Sequence, residues 1–168
     1  MKDVAVDEYL AVRVLSGDWP AELPDDDVVL PTSRHWRLLQ RVHNPSGGQL
    51  SQLLANLPGD DLGVVRWPHP EVLSVLDPRP LLDEAAAIAA RFGGTGWLVA
   101  ETLAAGVTHG HQLWFGTPDT VVRVLQRATG ELGMSPYLTR PRQARSFCWN
   151  SASAQNRPHV DMFCPSAR

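Results

Sequence analysis

Short apolar runs of strand character alternate with stretches of helical period, and this alternation restricts the chain more than any other feature. Val4–Val6 runs straight into Glu8–Leu15, and Val28–Leu30 is followed after Pro31 by Arg34–His43. Gln112–Phe115 precedes a helix that starts at Pro118 and runs through Ala128. Parallel neighbours need a crossover long enough to hold a helix, so strands separated by helices predict an α/β domain with a mainly parallel sheet. Leu62–Trp67 is β-branched and bounded by Gly-Asp and Pro, which reads as a further strand, with a short helix after Pro68 and Pro70 through Leu76. Leu50, Leu53, Leu54 and Leu57 mark another helix, and Leu81–Phe92 and Trp97–His109 two more. Thr32 or Ser33 is the expected cap of the Arg34 helix. Met134–Leu138 is expected as an edge strand, since Pro136 removes a ladder donor.

The 168 residues, 43% hydrophobic and 20% charged, suffice for one soluble domain with a core. A formal charge of −3 gives no support for a broad basic face. Cys148 and Cys164 form neither a metal pattern nor a disulfide framework. No apolar run approaches the ~20 residues that span a bilayer. MKDVAVDEYL lacks the basic region and long apolar run of a signal peptide, so the chain reads as cytoplasmic. The pattern assigns residues 1–140 to the domain and 141–168, which has no period and many small polar residues, to a loosely ordered tail.

Ligands of open parallel sheets bind at the carboxyl ends of strands, so residues just beyond each strand are the candidates for function. Asp7 follows the first strand, and Asp119, in GTPD, follows Gln112–Phe115, which places both at one rim. Each has two readings, a helix-start carboxylate or a metal ligand. Glu101 is the only Asp, Glu, Lys or Arg between Arg91 and Asp119, and its helix offers no cation at i±3 or i±4. Either that face is solvated, or Glu101 meets a positive charge from elsewhere in the fold, a metal ion included. His109 and His111 lack a third ligand at fixed spacing; as a general base they would suit a small-molecule enzyme, the weakest alternative. Gly93–Gly96 reads as a helix–helix turn, because it lacks the Gly-Lys-Ser/Thr ending of a phosphate loop. Trp67, Trp97, Trp114 and Phe115 are expected in the core.

VAVDEYLAVRVL, LGVVRWPHPEVLSVL and LVAETLAAGVTHGHQLWFGTPDTVVRVL together resemble the PIN-domain proteins, above all the VapC-type ribonuclease toxins of toxin–antitoxin pairs. The likeness runs from about Val4 to Leu138. It implies a three-layer α/β/α fold with a parallel sheet, and a cluster of three or four acids that holds Mg²⁺ or Mn²⁺ and cleaves RNA. By position Asp7 matches the first acid, Glu101 the helix acid and Asp119 the last. The resemblance also implies an RNA substrate and an antitoxin protein as partner, and it leaves room for a homodimer. The chain departs from the family in its helix acid, Glu101 rather than the commoner Asp and nearer the His-Gly than usual, and in the Glu-Tyr that follows Asp7; above all LPTSRHWRLLQRVH, where the second helix usually carries a Glu, has Arg34, His35 and Arg37 and no acid. The alternative is therefore a catalytically inactive PIN-like module that binds or regulates. Arg34 and Arg37, with Arg41, read either as contacts to RNA phosphates or as a solvated helix face.

Overall fold

Three apolar residues suffice for a central strand when both faces of the sheet are covered, since every side chain is then buried whichever way it points. The computed structural model, which describes residues 3–45, 47–57, 62–93, 95–116 and 123–139, is built on this principle. Its strands are β1 (Val4–Val6), β2 (Val28–Leu30), β3 (Ser74–Val75), β4 (Gln112–Phe115) and β5 (Tyr137–Leu138). They form one all-parallel sheet in the order β3-β2-β1-β4-β5. Val4 pairs with Val28 on one side and Gln112 on the other, and Val6 lies opposite Trp114.

Side chains alternate across this sheet with the strand period of two. Val4, Val6, Val28, Leu30 and Trp114 enter one core, with Leu10, Leu38, Leu54 and Val65. Ala5, Val29, Leu113 and Phe115 enter the other, with Ile88, Leu103 and Leu125. The first core is closed by α1 (Glu8–Leu15), α2 (Thr32–His43), α3 (Gln49–Ala55) and α4 (Leu62–Arg66). The second is closed by α5 (Leu82–Arg91), α6 (Trp97–His109) and α7 (Arg123–Glu131). The architecture is a three-layer α/β/α sandwich, as the resemblance implied. Among the described residues no helix is long and apolar enough to cross a membrane.

Two expected elements exchange character. Leu62–Trp67, read as a strand, is α4, which Trp67 N–H closes onto the Gly63 carbonyl at 2.9 Å. Its β-branched residues favour extension, but strand propensity yields to packing. As a helix the segment buries Val65 completely and gives the Val65 carbonyl to His35 Nε2 at 2.8 Å. The third strand comes instead at Ser74–Val75, within the stretch expected to be helical. It pairs with β2, and Leu76 N–H reaches the Leu30 carbonyl at 3.0 Å. Trp67 and Trp97, expected in the core, are 85% and 45% exposed, whereas Trp114 and Phe115 are buried as expected. The Pro118 helix start, Asp119 and the stretch 141–168 lie outside the described residues.

Two glycines set the closest approaches. A Cβ at Gly116, just past β4, would lie 2.9 Å from the Leu10 amide nitrogen and 3.0 Å from Tyr9 Cβ, at the first turn of α1. A Cβ at Gly106 in α6 would meet Met134 Sδ at 2.7 Å, the far end of a flexible side chain. Gly116→Ala is expected to cost about 1–3 kcal/mol and Gly106→Ala clearly less. Urea denaturation of both variants checks this, and the reverse order would contradict it.

Candidate functional site at the carboxyl end of the sheet

The order β3-β2-β1-β4-β5 reverses direction at β1, so the crevice between the ends of β1 and β4 is the topological switch point where such sheets bind ligands. Asp7 sits there, fully buried. Its Oδ1 accepts from Leu10 N–H at 2.8 Å, which caps α1, and from Gly116 N–H at 3.0 Å across the crevice. Asp7 is therefore an N-cap and at the same time a clasp between two strand ends. Burial pushes its carboxyl up from 3.8 to about 6, against the pull of the Arg34 guanidinium and of these two amides.

The next residue, Glu8, in the first turn of α1, is also fully buried. Its Oε2 lies 2.5 Å from Arg34 Nη1 and its Oε1 2.8 Å from Arg37 Nη1. Arg34 is 3% exposed. Its Nε donates to Thr102 Oγ1 at 3.1 Å, and the Thr102 hydroxyl in turn donates to the Leu98 carbonyl at 2.7 Å. The guanidinium carbon stands 5.7 Å from the centre of the Phe115 ring. This cation is enclosed by α1, α2, α6 and the end of β4, so the phosphate-contact reading of Arg34 has no surface to act from.

Glu101 is buried on α6, which removes the solvated alternative. Its Oε2 accepts from Ser33 N–H at 2.8 Å. The physical reason lies in α2, which begins after Pro31 with no side-chain cap and no acid in its first turn. The Thr32 hydroxyl, one of the expected caps, donates to the Leu76 carbonyl instead. Glu101 thus supplies from α6 the carboxylate that the start of α2 lacks, and the positive end of the helix dipole favours it there. Its Oε1 and the Ser33 hydroxyl are buried without a hydrogen-bond partner.

The structure joins Glu8, Arg34 and Arg37 directly, sets Asp7 beside them within the field of Arg34, and links Glu101 to them through the Ser33–Arg34 start of α2. Among the described residues, no three His, Cys, Asp or Glu side chains assemble as a metal-holding group. The described residues of the site carry three carboxylates (Asp7, Glu8, Glu101) and two guanidiniums (Arg34, Arg37), both of the latter on Glu8. Burial makes Asp7 give up its proton reluctantly. Among the described residues the cation that these acids hold is the Arg34 guanidinium, on Glu8, and the candidate Asp119 lies outside them. His109 and His111, ring centres 5.1 Å apart and tilted by 36°, lie at the opposite, amino-terminal end of β4, remote from this cluster.

A groove of ≈ 710 Å³ opens beside the cluster between α2 and the start of α6. Trp36, Arg37, Gln40, Arg41 and His43 line it from α2, with Ser33 at one end and Trp97 and Leu98 opposite. Sequence reading missed it because it assigned Trp97 to the core, whereas Trp97 and Trp36 are both exposed. Compared with protein-family models, with curated proteins and with solved structures, the chain finds no match.

The Asp7 carboxyl yields a pH prediction. Its value is 3.8 in the unfolded chain and about 6 in the native one, so the native state holds the proton more tightly. Stability from this group is complete below pH 3.8, falls as pH rises through the window, and is lost above about 6. Asp7→Asn keeps the Oδ1 acceptor and removes the ionisation. It is expected to raise stability by about 2–3 kcal/mol near pH 8 and to change little near pH 3.5. Denaturant titrations at the two pH values check this, and a gain independent of pH would contradict it.

Proposed function

We propose that this chain is a PIN-like module that binds its target without divalent-metal catalysis. The observation that carries the reading is Arg34, buried and bonded to Glu8 in the helix where PIN-type ribonucleases are expected to place an acid. A parallel sheet between two helical layers, with Asp7 at the end of β1, supports the PIN-like part. Arg34 supports the rest, because it supplies inside the acid cluster the positive charge that a metal ion would otherwise bring. A buried guanidinium positions its neighbours through fixed hydrogen bonds, but it does not generate hydroxide from water as a Lewis-acidic ion does. The chain's own residues therefore hold the strand ends and the start of α2 in place.

A second reading rests on one specific observation, the buried and unpartnered Oε1 of Glu101. On that reading Asp7, Glu101 and Asp119 hold Mg²⁺ or Mn²⁺ and the chain is a ribonuclease toxin restrained by an antitoxin. Incubation of the full chain with single-stranded RNA and Mn²⁺ separates the two. The first reading expects no metal-dependent cleavage by the wild type, and the same result for Asp7→Asn and Glu101→Gln. Cleavage that requires Mn²⁺ and disappears in Asp7→Asn would overturn it in favour of the second.

A further inference from the structure

We infer that His109, His111 and Asp3 form a binding site for a late first-row divalent ion, Zn²⁺ foremost, at the amino-terminal end of the sheet. The site is separate from the acid cluster at the other rim and does not depend on the PIN-like reading. Its centre is His111, whose side chain is 7% exposed and whose two ring nitrogens are both buried without a hydrogen-bond partner among the described residues. A neutral imidazole has one donor and one acceptor, and burying both unpaired is costly. Asp3 Oδ2 lies 3.8 Å from His111 Nδ1. That gap is too long for a hydrogen bond, yet an ion bonded to each atom at about 2.0–2.2 Å spans it. The ring centre of His109 is 5.1 Å from that of His111. Two imidazoles on one tetrahedral ion, with bonds of about 2.0–2.1 Å from nitrogen to metal, stand about 5 Å apart.

The sequence spacing offers two histidines and no third ligand; the sheet supplies the third. β1 and β4 pair in parallel with Val4 opposite Gln112, which brings the residues before them, Asp3 and His111, side by side. Gln112 N–H fixes this arrangement by donating to the Asp3 carbonyl at 3.2 Å. Gly110 caps α6 at a left-handed φ of 70° and so turns the chain between the two histidines. Two imidazoles and one carboxylate make a zinc ligand set that keeps a fourth position for water. The same set is poor for Mn²⁺, which stands at the weak end of the affinity order. Burial pushes the His111 imidazole below its ordinary value, against the pull of Asp3 and with the help of His109, so the ring is neutral and able to ligate at pH 7. No group of three is preassembled among the described residues. A side-chain rotation of His109, exposed at the end of α6, completes the set, and Asp3 at 38% exposure leaves the ion a way in.

The test is calorimetric titration of Zn²⁺ into the full chain at pH 7, with the histidine ring nitrogens followed by NMR. The parent carries Cys148→Ser and Cys164→Ser, because thiolates bind zinc on their own account. One Zn²⁺ per chain is expected, with shifts at the ring nitrogens of His109 and His111 and none at the other four histidines. His109→Gln and Asp3→Asn, both at solvent-accessible positions, are each expected to weaken binding at least about 10-fold. Unchanged circular dichroism of the metal-free variants is expected to confirm that they fold. Saturating Zn²⁺ is expected to raise the thermal midpoint of the parent and to leave that of His109→Gln where it was. Binding is expected to fall away as the pH drops through about 6, where the imidazoles take up protons. No binding, shifts confined to other histidines, or affinity unchanged in either ligand variant would overturn the inference. So would binding that survives His109→Gln and disappears in Asp7→Asn, since the ion would then sit in the acid cluster at the other rim.

Discussion

Burying a guanidinium costs several kcal/mol of hydration, and the carboxyl end of this sheet is arranged around offsetting that cost for Arg34. Glu8 supplies the counter-charge, Thr102 Oγ1 accepts a hydrogen bond from Nε, and the Phe115 ring faces the cation. These partners come from α1, α6 and β4, so one side chain of α2 ties three other elements together. Removing one partner would strand a buried charge, which is far worse than never having buried the pair. The pair therefore fixes where α2 lies over the strand ends, and with it where Ser33, Trp36 and Arg37 are presented.

Asp7 and Glu101 follow from the same constraint. With a cation already among them, the acids serve as fasteners: Asp7 joins the start of α1 to Gly116 beyond β4, and Glu101 holds the start of α2. The raised Asp7 carboxyl records the cost of using a charged group as a buried clasp. The absence of a side chain at Gly116 allows the clasp to close, because the Leu10 amide that Asp7 caps occupies the space that a Cβ would need.

The layered plan was legible because the central strands are apolar on both faces and the helices between them carry a clear period. Val4–Val6, Val28–Leu30 and Gln112–Phe115 could hardly be anything else. Leu62–Arg66 and Ser74–Val75 were not legible, since one is a β-branched helix held by burial of Val65 and the other is two residues held by pairing with β2. At the site, the isolation of Glu101 in an apolar helix pointed to a solvated face or a positive charge from elsewhere, and the partner found is neither. That partner is a backbone amide of α2, which no side-chain pattern reveals. Glu8 was hidden by its ordinary place in a first helical turn. Its burial shows only when Arg34 and Arg37, 26 and 29 positions later, are folded back onto it.

The central claim is that Arg34 occupies the role of the cation in this acid cluster. Manganese titration of the full chain near pH 7, followed by the loss of free Mn²⁺ signal in electron paramagnetic resonance, addresses it directly. The account predicts no stoichiometric site in the micromolar range. One Mn²⁺ bound per chain at micromolar concentration, lost in both Asp7→Asn and Glu101→Gln, would contradict it.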